Sequence, residues 1–299
     1  MNESTASLRR KIRSAGDLQS VVRTMKTLAA SSIGQYEQAV RALSDYARTV
    51  ELGLSVCLRG SGADVALTAA SAEPDSSRNT SRIGGIVFGS DQGLVGQFND
   101  VVTDYAVQTL AALTDRPLVW AVGERVHARL IDAGLPVVGR FAVPGSVAAI
   151  TPLIGQILGA SEARGARVTQ LHLYYNGPAS GAVYAPVSQR LLPLDDAWQR
   201  RLAALPWPTG NLPEVMGTGS TTLSALIREY LFVSLFRACA DSLASENASR
   251  LAAMQRADKN IDELLEALNG SFHRLRQGAI DEELFDVISG FEALARQRH

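Results

Sequence analysis

The sequence predicts an α/β protein: a central α/β domain plus a long antiparallel two-helix coiled coil built from the N- and C-terminal helices. Three observations lead there. All 11 prolines lie between Pro74 and Pro213, so the first 73 and last 86 residues lack the residue that costs a helix interior about 3 kcal/mol. Both proline-free ends repeat apolar residues at a mean step of 3.5, the period of a left-handed coiled coil. Between them, short apolar runs alternate with helical patterns. The chain divides into an N-terminal helix over 1–60, a body over 82–194, a linker over 195–219 and a C-terminal helix over 220–299.

In the N-terminal helix the repeat runs through Leu8, Ile12, Ala15, Leu18, Val22, Met25, Ala29, Ile33, Tyr36, Val40, Leu43, Ala47, Val50 and Leu54. Small Ala15, Ala29 and Ala47 would let a partner helix come close. Residues 3–58 would make a rod of roughly 85 Å. A core helix in a bundle is the competing reading, but ordinary globular helices run about 8–20 residues.

The body opens with a buried strand, Ile83 to Phe88, and the glycine-rich turn Gly89–Gly96, followed by a helix from about Asn99 to Leu113. Strand 118–122, helix 124–133, strand 136–142 and helix 146–163 come next. Strand 168–175 then turns at Asn176-Gly177 into a returning strand, 182–190. Strands alternating with helices make a mostly parallel, Rossmann-like sheet, with the antiparallel last strand at an edge.

In the C-terminal helix, Leu251, Met254, Asp258, Ile261, Leu265, Leu268, Phe272, Leu275 and Ala279 keep the 3.5 step, and only Asp258 is polar. The helix from Ser220 to Ala295 would reach on the order of 110 Å. If the helices run antiparallel with Leu54 opposite residue 223, Leu8 falls opposite about residue 269. The last 25 to 30 residues then have no partner, although Leu284, Ile288, Phe291 and Ala295 still form an apolar stripe. Such a stripe calls for a sleeve of other chains.

Chemistry is harder to find. A net charge of −1 gives no basic excess for nucleic acid. Only Lys11, Lys26 and Lys259 are lysines, so the body can hold neither a P-loop lysine nor a kinase-type strand lysine. No GxSxG, HExxH or CxxC occurs, and His127, His172, His273 and His299 are scattered. Cys57 and Cys239 are far apart in sequence, no apolar run approaches the roughly 20 residues of a membrane span, and no secretory h-region follows the early arginines. The Gly89–Gly96 turn, GxxxGxxG rather than GxGxxG, is read as a tight turn in preference to a phosphate loop. No catalytic residue, metal or cofactor is expected.

Four ordered segments carry a family resemblance over essentially the whole chain. Ile12-Arg13-Ser14 with Thr24-Met25-Lys26-Thr27-Leu28-Ala29-Ala30-Ser31 is the first. Ser90-Asp91 through Gly93-Leu94, Gly96 and Asn99 is the second. Tyr175-Asn176, Pro186 and Leu191-Leu192-Pro193-Leu194 make the third. The fourth runs from Ala244-Ser245-Glu246 through Arg250 and Met254 to Arg276-Gln277 and Glu283-Leu284 up to Gly290. Together they resemble the γ subunit of F-type ATP synthases. Departures at Ser32, Val95, His273-Arg274 and Asp281 suggest a divergent bacterial form.

The resemblance implies a non-catalytic rotor shaft inside a hexamer of α and β subunits. Its body would sit on an ε subunit and a membrane c-ring, peripheral to the cytoplasmic face of a bacterial membrane. It implies contacts to β subunits by Arg23, Met25, Lys26, Arg276, Gln277, Asp281 and Ile288. Residues 8–26 carry six basic side chains against Asp17 alone, a positive collar suited to an acidic partner loop. Met25 could equally be a plain seam residue. Two other readings stay open, an α/β small-ligand-sensing domain with a helical dimerisation clip and an unrelated coiled-coil adaptor.

Overall fold

The computed structural model describes residues 4–60, 82–163, 168–180, 182–194, 196–211, 213–214 and 219–296. In chain order the elements are α1 (Thr5–Gly60), β1 (Arg82–Phe88), α2 (Phe98–Ala111), β2 (Leu118–Val122), α3 (Glu124–Asp132), β3 (Val137–Phe141), α4 (Ile150–Ala163), β4 (Val168–Ala179), β5 (Ala182–Leu192), α5 (Asp196–Ala203) and α6 (Gly219–Arg296). The chain separates into two compact units, Met1–Leu28 with Leu251–His299, and Ala29–Arg250.

The larger unit holds the sheet, in the order β3-β2-β1-β4-β5. β1 pairs in parallel with β2 and β4, β2 pairs in parallel with β3, and β5 returns antiparallel to β4 at the edge. Period-two alternation sends Ile86, Phe88, Trp120, Leu173 and Tyr175 to one face, where Ile154, Ile157, Leu235, Cys239 and Leu243 cover them. Val87, Val119, Ala121 and Tyr174 face the other way, onto Val102, Ala106, Leu110, Val126 and Leu130. A third apolar cluster joins Val50, Leu54 and Cys57 of α1 to Leu223 and Ile227 of α6. Each large apolar side chain so enclosed contributes about 1.5–3 kcal/mol.

One expectation is corrected here, and another gains detail. Asn176 and Gly177 are not a turn: β4 runs through them, pairing Asn176 with Pro186 and Gly177 with Ala185. The side chain of Asn176 is fully buried and its Nδ2 donates to the Phe98 carbonyl at 2.7 Å, an anchor that a solvent turn could not supply. The stretch read as a linker, 195–219, contains α5, because Leu202 and Trp198 pack against the Leu54–Leu223 cluster. The Trp198 ring meets Tyr230 edge-on, with centroids 4.8 Å apart. Arg59 braces the end of α5, its Nε donating to the Ala203 carbonyl at 2.7 Å.

Along α1 the burial is sparser than the apolar frame. Leu8, Ala15, Val22, Ala29, Tyr36 and Val50 are buried, all on one seven-residue lattice. The alternate members Ile12, Met25, Ile33, Val40 and Ala47 are half-buried, and Leu18 is 54% exposed. Up to Val50 the seam takes one residue per heptad, with Leu43 half-buried; nearer its end the helix also buries Leu54.

Candidate functional site

The turn after β1 lies at the carboxyl end of a strand flanked on both sides, where open α/β sheets commonly receive ligands. In this chain the turn is filled by its own polar groups. Asp91 accepts from the backbone N–H of Glu124 at 2.8 Å and of Val143 at 2.9 Å, tying the starts of two later segments to the turn. Ser90 and Asn99 close a reciprocal pair: the Ser90 N–H donates to Asn99 Oδ1 at 2.9 Å and Asn99 Nδ2 donates to Ser90 Oγ at 2.8 Å. Glycine is required beside them. A Cβ on Gly89 would fall 2.4 Å from Val126, and Gly123 holds φ at +120° against the Ser90 backbone.

Helix α6 completes the cluster from its own side. Ser249 Oγ donates to the Val95 carbonyl at 2.6 Å. One turn earlier, Glu246 is buried and its carboxylate takes Arg250 Nη2 at 2.6 Å. Burial pushes the Glu246 carboxyl above its ordinary value, and the Arg250 guanidinium opposes that shift. A buried ion pair of this kind resists removal of either partner more than it stabilises the fold. The segments 90–99 and 244–250 are thus fastened to each other, and no ligand reading of the turn is needed to explain its residues.

The smaller unit holds most of the other residues singled out by sequence. Its apolar seam is Ala15, Val22, Met254 and Ile261, with Met25, Ala257 and Leu265 partly buried against it. The helices run antiparallel, since Lys26 and Arg23 meet Asp258, Gln19 meets Asp262, and the Arg9 guanidinium lies 5.5 Å from the Phe272 ring centroid. That places Leu8 about one turn beyond the expected residue 269. Asp258, the one polar seam residue, is surrounded by donors: Arg23 Nε at 3.1 Å, Lys26 Nζ at 3.2 Å and Gln19 Nε2 at 3.4 Å. The Lys26 hydrogen bond, reinforced by Arg23, holds the Asp258 carboxyl below its ordinary value against the opposing effect of burial.

Of the seven singled-out residues, Arg23, Met25 and Lys26 therefore come together around one carboxylate and one apolar seam. Arg276, Gln277, Asp281 and Ile288 lie further along α6, where every side chain from 273 to 289 is exposed. That stretch displays Leu275, Ile280, Leu284, Phe285, Val287 and Ile288 to solvent, more apolar surface than the expected stripe. The remaining stripe members, Phe291 and Ala295, fall outside the side chains described. Sequence reasoning missed Gln19 and Asp262, whose charge and amide reveal themselves only when the helices pair. Among the described residues, no helix is long and apolar enough to cross a membrane.

A parallel-dominated α/β sheet and long N- and C-terminal helices, the last of them apolar and bare toward its end, define the class of protein to which this chain belongs. A family model described as ATP synthase matches residues 4–294, and the chain belongs to the ATP synthase gamma-subunit family. It is a non-catalytic subunit of the central stalk, the rotor of that complex. The chain is 27% identical to the ATP synthase gamma chain of Parafrankia sp. (strain EAN1pec) over 96% of each sequence. Its fold is similar to a chain in the Euglena gracilis mitochondrial ATP synthase OSCP/F1/c-ring structure in rotational state 3, with a TM-score of 0.66 at 15% identity over 99% of this chain and 96% of that one. A second Euglena gracilis structure, the rotor in rotational state 1, gives a TM-score of 0.60 at 15% identity over 92% and 98%. The ligand-sensing reading is not favoured.

Proposed function

We propose that this rotor subunit turns inside a hexamer of catalytic α and β subunits, with an ε subunit and a membrane c-ring at its foot, on the cytoplasmic face of a bacterial membrane. The observation that carries the proposal is the bare end of α6. Six large apolar side chains between Leu275 and Ile288 are exposed, four of them (Ile280, Leu284, Val287 and Ile288) at helical spacing on one face, and an exposed apolar face of that kind marks an interaction surface. A sleeve of surrounding subunits would bury it. Arg276, Gln277, Asp281 and Ile288 are the contacts to β subunits at that end, and Arg23, Met25 and Lys26 those lower on α1.

Coupling follows from differential contact. A shaft that touches each catalytic subunit differently at each angle biases which nucleotide state that subunit favours, and by reciprocity nucleotide turnover drives the shaft. The subunit supplies no bond chemistry to that cycle; it carries torque between ion flow and the catalytic sites.

The assembled complex carrying Arg276→Ala and Gln277→Ala tests the contacts. The α and β subunits should still copurify with the variant, while ATP-driven ion pumping falls to a small fraction of the wild-type level. Normal pumping by that complex would overturn the assignment of the α6 end.

A further inference from the structure

We propose that Asp258 is an internal counter-charge that limits how strongly Arg23 and Lys26 grip an acidic segment of a surrounding subunit. The inference rests on the reading above that this part of α1 faces such a subunit.

Exposure is the first argument. The Asp258 side chain is 14% exposed, whereas Arg23 and Lys26 are 58% and 39% exposed. The carboxylate is fixed on the inside and the two cations look outward, so an external anion can reach them without displacing the aspartate. Asp258 is engaged through both oxygens, Oδ1 by Arg23 Nε and Oδ2 by Lys26 Nζ. Asp262 adds a second, weaker hold, its Oδ1 lying 3.6 Å from Arg23 Nη2.

Packing supplies the second. Asp258 occupies a position where Met254 and Ile261, on either side along the seam, are buried apolar residues. An apolar residue would fill that place at least as well, and burying a carboxylate there is costly unless it is paired. What the aspartate supplies is charge. Two cations beside two carboxylates present a set of dipoles to the outside, and a dipole's attraction for an anion falls off faster than that of a bare charge. The collar that is strongly basic in sequence is therefore balanced at residues 23–26. A partner segment of acidic chemistry can engage Arg23 and Lys26 and still let go.

The test is the ionic-strength dependence of ATP turnover in the assembled complex. Asp258→Asn keeps the shape and removes the counter-charge. Turnover at low salt should fall about two- to fivefold, the range a single exposed ion pair can supply, and should return to wild-type values at high salt, where such pairs are screened. Adding Arg23→Gln and Lys26→Gln to Asp258→Asn should abolish the slowing. A variant that matches wild type at every salt concentration overturns the proposal, and so does one slowed equally at all of them, which is the mark of structural damage. Asp258→Ala, read in the same way, serves if Asp258→Asn does not assemble. The underlying contact is checked separately: if Arg23→Gln with Lys26→Gln in the otherwise unaltered complex leaves the salt response unchanged, it is the contact reading at residues 23–26 that fails.

Discussion

Asp258 shows what a single residue can decide. Its carboxyl is held below the ordinary value by Lys26 and Arg23. A carboxyl whose value is lower in the folded state contributes stability above its unfolded value of about 3.9, and that contribution is lost as pH falls through the lowered folded value. Acid titration of the full chain, followed by helical circular dichroism, should therefore show the wild type losing helix-pair stability below about pH 4. Asp258→Asn should start less stable at neutral pH and lose less on acidification; identical pH profiles would remove the aspartate from the account. The sequence marked Asp258 as the only polar member of its seam, but not the side chains that meet it, because Gln19, Arg23 and Lys26 lie more than 230 positions away. Asp91 is a similar case. Its turn was legible from the glycines, whereas its task of holding Glu124 and Val143 depends on residues 33 and 52 positions downstream.

At the scale of elements, the helices were legible because periodicity and proline exclusion act over dozens of residues and average out local noise. The depth of burial was not. Fourteen positions fit the frame of α1, yet a two-helix contact encloses only the line of residues pointing straight at the partner, and the flanking line stays half-open. Denaturant melts of the full chain should separate the two lines. Leu8→Ala, at a fully buried position of the lattice, should cost about 2–5 kcal/mol, while Leu18→Gln, at an exposed position of the alternate line, should stay within about 0.5 kcal/mol; equal losses would mean that the seam is wider than it looks. Local signals failed where tertiary contact outweighed them. Asn176-Gly177 has turn chemistry, but the buried hydrogen bond from the Asn176 side chain to the Phe98 carbonyl keeps the pair in a strand. The helix α5 was hidden for a different reason, being eight residues long with Pro206 and Pro208 close behind.

On the scale of the whole molecule, the larger unit has sheet, two-sided core and buried polar fastenings, and the smaller has one apolar seam, a charged clasp and a bare helix end. Amide hydrogen exchange on the full chain free of partners should follow that difference. Strands β1, β2 and β4 should protect most strongly, and α6 beyond about residue 273 least, because its hydrogen bonds are flanked by solvent on every side. Protection there equal to that of the sheet would contradict the bare surface. The lattice of buried residues on α1 has a bearing on ancestry as well. Packing asks volume chiefly of that helix's buried positions, Leu8, Ala15, Val22, Ala29, Tyr36, Val50 and Leu54 among them, so a substitution at an exposed place costs the fold little. A chain sharing only about a quarter of its residues with a distant cousin can then still inherit the same machine part.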